Sequence, residues 1–302
     1  MVIKMDYRII AVLLAVCLFG ALLAAEKSAP AVLQAERVWD QEDETILELA
    51  VVMYHHLLEE PSQWNDYITS PAQFEEDLRY LQQCGYTSIS VQELLDYLSE
   101  DAPLPEKPVL ITFDDAYESV YQYAYPLLKK YGMKAVVSVI GSSADQFSNP
   151  DEPRHIRYSY LSWAQLKELA ESGVFELGNH TYNLHRNGQD SERYGIRIRE
   201  GESVEEYARA LYADIGKLNQ KIQEETGIRP IIFAYPFGAL CKESRPILEE
   251  MGFEVILTCE EKVNRLAGDE TPPLELRRYN RAHHYSTYEY FKKMGITGPE
   301  SK

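Results

Sequence analysis

The strongest constraint on the fold is a steady alternation, from Leu49 to Thr258, of short apolar runs with amphipathic stretches of helical period. Leu49–Tyr54, Val109–Phe113, Ala135–Ile140, Val174–Leu177, Ile231–Tyr235 and Glu254–Thr258 are short and largely apolar, as strands buried on both faces must be. The helical stretches between them carry their own start and stop signals. Ser70 and Pro71 open a helix whose stripe is Phe74, Leu78 and Leu81 and which ends at Gly85. Val91–Leu98 reads as a shorter helix, and another passes through Leu127 and Leu128 to end near Gly132. Ser162 caps a helix bearing Trp163, Leu166 and Leu169 and closed by Gly173, Val204–Glu225 reads as a long helix, and a last one falls near Glu243–Met251. A helix between successive strands is the connection that parallel strands require. The expected fold is α/β: a single domain built as a distorted (β/α) barrel with mainly parallel strands, preceded by an N-terminal apolar helix.

That apolar segment is an address. Lys4 and Arg8 precede an uncharged stretch of 17 residues, Ile9 to Ala25, the pattern of a secretory signal peptide or an N-terminal membrane anchor. A spanning helix takes about 20 residues, with a range of about 17–25, so length leaves both readings open. Leu23 stands where a cleavage site after Ala25 prefers a small side chain, which favours retention on the membrane over release. Residues 26–45 mix Ala, Pro and Gln with Asp40, Glu42, Asp43 and Glu44 and read as an acidic linker. Residues 46–295 are left for the folded domain and 296–302 for a tail. The chain is expected at the cell surface, membrane-anchored or secreted, touching the membrane only through its N-terminal segment, and monomeric.

The 30 Lys and Arg against 48 Asp and Glu give a net charge of −18, which excludes a phosphate backbone as partner, so no nucleic acid is expected. It also disfavours an anionic membrane surface met through a basic face. Cys17, Cys84, Cys241 and Cys259 have no CxxC spacing and are read as free, buried thiols.

Chemistry-bearing residues gather at the C-terminal ends of the strands, where parallel α/β folds keep their working groups. The first strand runs into His55-His56, the second into Asp114-Asp115, the strand after the Trp163 helix into Asn179-His180, and the Ile231 strand into Tyr235-Pro236-Phe237-Gly238. Neighbours on a regular strand face opposite ways, so Asp114 and Asp115 reach one site only if the strand stops and the chain bends there. Such a pair can serve as a solvated loop or helix cap; equally, one acid can hold a metal while the other acts as general base. His180 and His185 lie five residues apart, a spacing that a helix would splay, so irregular backbone is expected between them. Two imidazoles and the carboxylate of Asp115 would make three ligands and leave a position open for water. His55 can face the mouth as a proton donor or sit in a structural hydrogen bond. His56 alternates away and is read as structural, His155 as solvated, and His283-His284 as surface. The Tyr235–Gly238 turn either ends its strand or aims backbone N–H groups at a tetrahedral oxyanion. The 22 tyrosines are read mainly as packing, with any exposed beside a groove suited to stacking on sugar rings.

Taken together these motifs resemble the polysaccharide deacetylases, carbohydrate esterase family 4 with the NodB homology domain, over roughly residues 48–260. Thr112-Phe113-Asp114-Asp115 is similar to the family's first motif, which implies Asp114 as general base and Asp115 as metal ligand. His180-Thr181 through His185 is similar to the second, implying His180 and His185 as the other metal ligands. Tyr235-Pro236-Phe237-Gly238 is similar to the third, implying the Tyr235 N–H as an oxyanion donor and Pro236, Phe237 and Gly238 against the substrate. The five-residue histidine spacing and the Met53-Tyr54-His55 segment resemble the branch of exported poly-N-acetylglucosamine deacetylases, whose motif order is circularly permuted and whose histidine implies His55 as general acid. The family's acid-and-Trp fourth motif and its late Leu-x-His motif have no counterpart here; Arg278 or Arg281 is the candidate to orient Asp114. The resemblance implies a hydrolase that uses one divalent metal per chain, zinc for preference, to remove N-acetyl groups from an extracellular glycan of poly-N-acetylglucosamine type with release of acetate. Peptidoglycan or xylan deacetylation at the same site, or an inactive glycan-binding module, are the alternatives.

Overall fold

The computed structural model describes residues 46–298 apart from 101, 190, 191 and 269, so the expected apolar segment 1–25, the linker 26–45 and most of the 296–302 tail lie outside the described residues. Among the described residues no helix is long and apolar enough to cross a membrane.

In chain order the elements are β1 (Leu47–Tyr54), β2 (His56–Leu57), β3 (Ile68–Thr69), α1 (Pro71–Gln83), β4 (Thr87–Ser88), α2 (Val91–Glu100), β5 (Pro108–Phe113), α3 (Tyr125–Tyr131), β6 (Ala135–Val139), α4 (Gly141–Ser148), α5 (Trp163–Glu171), β7 (Phe175–Asn179), α6 (Val204–Thr226), β8 (Ile232–Ala234), α7 (Ser244–Glu250), β9 (Val255–Leu257), β10 (Asn264–Leu266), β11 (Leu274–Leu276), β12 (Tyr279–Asn280) and α8 (Thr287–Lys292). Ser70, Ser162 and Ser203 cap their helices through the side chain, the last two in full capping boxes, so the start signals work as the sequence writes them.

The strands run in the order β1-β5-β6-β7-β8-β9-β11, all parallel, with β10 antiparallel on the outer side of β1. Closure comes from one short segment. Residues 274–276 pair with β9, and a few residues later Tyr279 and Asn280 pair with Val52 and Met53 of β1. The segment 274–280 thus bridges the two ends of the sheet, and the result is the expected distorted barrel.

Strand alternation sorts the side chains. Ala50, Val52 and Tyr54 point outward to a core shared with Phe74, Leu78 and Leu81 of α1 and Leu128 of α3. Leu49 and Val51 join Leu110, Val136, Ile232, Val255, Leu257 and Leu276 in a second cluster, which Val91, Leu94 and Leu95 of α2 complete. Going up the strands, the same inward positions turn polar: Thr112 follows Leu110 and Ser138 follows Val136, all fully buried. The barrel is therefore apolar at its base and polar beneath the strand ends.

The C-terminal stretch is tied to the outside by a buried ion pair. Arg281 donates from Nε to Asp77 Oδ2 at 2.7 Å, and Tyr54 and Thr287 donate to the same carboxylate at 2.8 and 2.6 Å. Of the thiols, Cys84, Cys241 and Cys259 are free as expected. They are not buried: the first two are half-exposed, and Cys259 sits exposed on the cleft wall because its strand has already ended.

Candidate active site

The strand ends deliver their residues into one cleft of about 540 Å³, lined by His55, Asp114, Asp115, His180, His185 and Phe237. Tyr67, Tyr117, Tyr194, Cys259 and Asn280 complete much of its wall.

The adjacent aspartates share the site because the chain bends where it must. β5 stops at Phe113, and Asp115 and Ala116 take φ values of 70° and 62°. That left-handed step is sparsely populated by residues other than glycine and costs about 1–3 kcal/mol at each position. Thr181, at φ 74°, makes the equivalent turn after His180, with its N–H held by Asn179 Oδ1 at 2.8 Å. The following residues are irregular, as the histidine spacing requires. Asp214 on α6 accepts from the Tyr182 and Asn183 amides at 2.8 and 2.9 Å, and the loop returns His185 to within 4.7 Å of the His180 ring.

Asp115, His180 and His185 bring one ligand atom each to within 4.8 Å of one another. Asp115 Oδ1 lies 3.5 Å from His180 Nε2 and 3.3 Å from His185 Nε2, and it is buried without a hydrogen bond among the described residues. An uncompensated buried carboxylate oxygen is costly unless a cation joins it. Burial pushes both imidazoles down to about 4, so at neutral pH they are uncharged with lone pairs available. The His180 Nδ1 sits 2.9 Å from the Ala234 carbonyl, which can only accept, so the ring proton is on Nδ1 and Nε2 faces the cluster. These residues fit a divalent ion such as zinc, with one carboxylate and two imidazoles as donors.

Asp114 is held differently. Arg278 grips both of its oxygens, Nη1 to Oδ1 at 2.7 Å and Nη2 to Oδ2 at 2.8 Å, and both side chains are almost wholly buried. The guanidinium is itself locked by the Thr258 carbonyl at 2.9 Å and by Thr112 Oγ1 at 3.2 Å. Burial pushes the Asp114 carboxyl up, but Arg278, with His180 beside it, outweighs that and holds it well below the usual carboxylate range. The pair differs from Arg281 in strand parity. An odd separation puts 278 and 281 on opposite faces of an extended segment, Arg278 inside the barrel and Arg281 outside on Asp77.

His55 enters the cleft half-buried, with its ring edge-on to Tyr67 at 5.0 Å. His56 also borders the cleft but is held in the expected structural role: it stacks on Tyr117 at 4.3 Å, and its Nδ1 lies 2.7 Å from Ser119 Oγ. Phe237 packs on His185 at 4.3 Å and Tyr194 on Phe237 at 5.1 Å, leaving Phe237 42% and Tyr194 40% exposed to a ligand. Gly238 has φ 60°, and a Cβ there would stand 2.7 Å from that of Cys259, so the turn needs glycine.

The profile described as polysaccharide deacetylase matches residues 101–256, just over half of the chain. The chain belongs to the polysaccharide deacetylase family. It is 32% identical over 215 residues to YxkH of Bacillus subtilis (strain 168), covering 70% of this chain and 64% of that one. It is 25% identical over 244 residues to the poly-beta-1,6-N-acetyl-D-glucosamine N-deacetylase of Escherichia coli (strain K12). That match takes in 76% of this deacetylase-family chain but only 35% of the relative, so the chain spans about a third of that protein's length. Among solved structures, IcaB from Ammonifex degensii is similar at 32% identity and a TM-score of 0.63, covering 76% of this chain and 90% of that one.

The family match includes Asp114, Asp115, His180, His185 and Tyr235; His55 and Arg278 lie outside it, on the β1 end and the closing segment. One expected role needs correction. The Tyr235 N–H donates to the Leu257 carbonyl at 3.1 Å, because the β8–β9 ladder runs one residue past Ala234, so it does not point at the site as an oxyanion donor. Its hydroxyl pairs with Ser244 Oγ at 2.7 Å. His283 and His284 do not line the cleft, which leaves His55 as its imidazole outside the three-residue cluster and the structural His56.

Proposed function

We propose that this chain hydrolyses N-acetyl groups on a glycan of poly-N-acetylglucosamine type, releasing acetate and a free amine. The observation that carries the reading is the meeting, in one cleft, of the Asp115–His180–His185 cluster with a second carboxylate, Asp114, kept ionised by Arg278. The names of the E. coli and Staphylococcus aureus relatives support the polymer type. The apolar segment 1–25 supports export.

Asp115, His180 and His185 would hold the divalent ion. Bound there, it supplies Lewis acidity, polarising an acyl carbonyl and bringing the pKa of a water from 15.7 toward ~7. Asp114 is the base. Each of its oxygens spends one lone pair on Arg278 and keeps another, so it can accept a proton from the attacking water without losing its counter-ion. Its low basicity is adequate only against an acidified water, and the two groups are therefore matched. His55 gives a proton to the departing nitrogen, since an amide leaves readily only as the neutral amine. Phe237 and Tyr194 offer faces on which a sugar ring can rest.

The test is acetate release from β-1,6-linked N-acetylglucosamine oligomers by the full-length chain. Activity is expected to fall at least a hundredfold in Asp114→Asn, to vanish on chelation and to return with added zinc. Release unaffected by both treatments would refute this use of the site.

A further inference from the structure

Two complementary polar atoms in the cleft wall lack partners. His55 Nδ1 and Asn280 Oδ1 are both buried and hydrogen-bonded to nothing among the described residues. The amide of Asn280 has a fixed orientation: its Nδ2 donates to the Asp66 carbonyl at 2.6 Å, and that carbonyl can only accept, so Oδ1 must face the other way. Tyr67, the residue after Asp66, reaches His55, whose ring lies edge-on to it at 5.0 Å. Strand register agrees. Asn280 pairs with Met53, two residues before His55 on β1, and by alternation it faces the same side as Arg278, two residues before it. The closing segment thus presents Arg278 to Asp114 and, one step nearer the mouth, Asn280 at the level of Met53, in the wall of the cleft that His55 also lines.

We propose that Asn280 is a positioning residue for the proton donor: its Oδ1 accepts from His55 Nδ1–H in both protonation states, so that the imidazolium gives its Nε2 proton to the leaving nitrogen and returns to the neutral Nδ1–H tautomer. Neither atom presents surface to solvent, so a substrate group cannot reach them without displacing protein, and both residues line the same cleft. An acceptor on Nδ1 selects the tautomer and fixes the ring plane, as carbonyl and carboxylate partners do for functional histidines generally. The assignment rests on the deacetylase reading for its catalytic meaning, but the hydrogen bond itself does not.

The experiment uses the full-length chain and two readouts. The first is the imidazole ¹⁵N spectrum of His55, in wild type and Asn280→Leu. Wild type is expected in the Nδ1–H form, and the variant is expected to move toward the Nε2–H form. The second is kinetics on two substrates. Asn280→Leu is expected to lower kcat on N-acetylglucosamine oligomers about tenfold or more with KM unchanged, while hydrolysis of 4-nitrophenyl acetate, whose leaving group needs no proton, stays within twofold. Asn280→Asp, which keeps an acceptor but gives up the donor to the Asp66 carbonyl, is expected to restore part of the amide activity. Equal losses on amide and ester, or an unchanged His55 spectrum, would overturn the proposal. If Asn280→Leu does not fold, Asn280→Ala withdraws the acceptor with less bulk and is read in the same way. A wild type inactive on every oligomer would count against the deacetylase reading, while the spectrum would still decide the hydrogen bond.

Discussion

At the scale of single residues, the site depends on how Asp114 and Arg278 are paired. A buried carboxylate and guanidinium joined by two parallel hydrogen bonds tolerate the loss of neither partner, because the survivor is left charged in a medium that cannot solvate it. Arg278→Met is expected to destabilise the protein by about 3–5 kcal/mol, measured by urea unfolding. The double change Asp114→Asn with Arg278→Met should recover much of that loss while remaining inactive; a double variant no more stable than the single would mean that the pair is not the source. Arg278→Lys keeps the charge but loses the fork, and should fold yet show reduced kcat. Asp114, Asp115 and His180 were legible in the sequence because they follow apolar runs and fall at strand ends, and His185 by its spacing from His180. Arg278 was legible only as one of two arginines. Choosing between them needs the parity of a segment whose two pairing stretches are three and two residues long, too short to leave a periodic signal. Asn280 carries no motif at all and becomes visible only through the register with Met53.

At the scale of elements, one imidazole ties three segments together. His56 on β2 meets Ser119 in the turn before α3, reaches the Arg157 carbonyl at 3.3 Å, and stacks on Tyr117. Burial pushes it down to about 4 from an ordinary value near 6.5. Between those values the unfolded chain binds the more protons, so stability falls as pH drops from about 6.5 to about 4. The contribution is of the order of 3 kcal/mol. Urea midpoints for wild type and His56→Gln should therefore converge as the pH is lowered through that window; curves that stay parallel would show that His56 is not responsible. The longer elements matched expectation closely because caps such as Ser162 and Ser203 and stops such as Gly132 and Gly227 are written locally. What escaped is also instructive. α4 lies directly after β6 and starts at Gly141, where a Cβ would run into Tyr182, so tertiary crowding rather than helix propensity places it. The two- and three-residue strands β2, β3, β4, β10, β11 and β12 escaped because they exist through pairing alone. Tyr235 was misjudged for the same reason, since the reach of a ladder is a property of two strands and not of one.

At the scale of the whole molecule, the barrel and the site are completed by the same residues. Val52 and Tyr279 are neighbours in space although 227 positions apart in the chain, and ordering such a contact carries a large loop-closure cost that only the finished barrel repays. A chain ending at Ala267 lacks β11, β12 and α8, and is expected to lose near-ultraviolet circular dichroism and its cooperative urea transition together. Retention of a sharp transition at the full-length midpoint would show that closure is dispensable. Synthesis proceeds from the N-terminus, so His55 emerges first, the metal-cluster residues midway, and Arg278 after them all. Until that arginine arrives, the Asp114 carboxylate has no counter-ion. The cleft is thus completed late, by residues 274–280, after every other side chain of the candidate site is already in the chain.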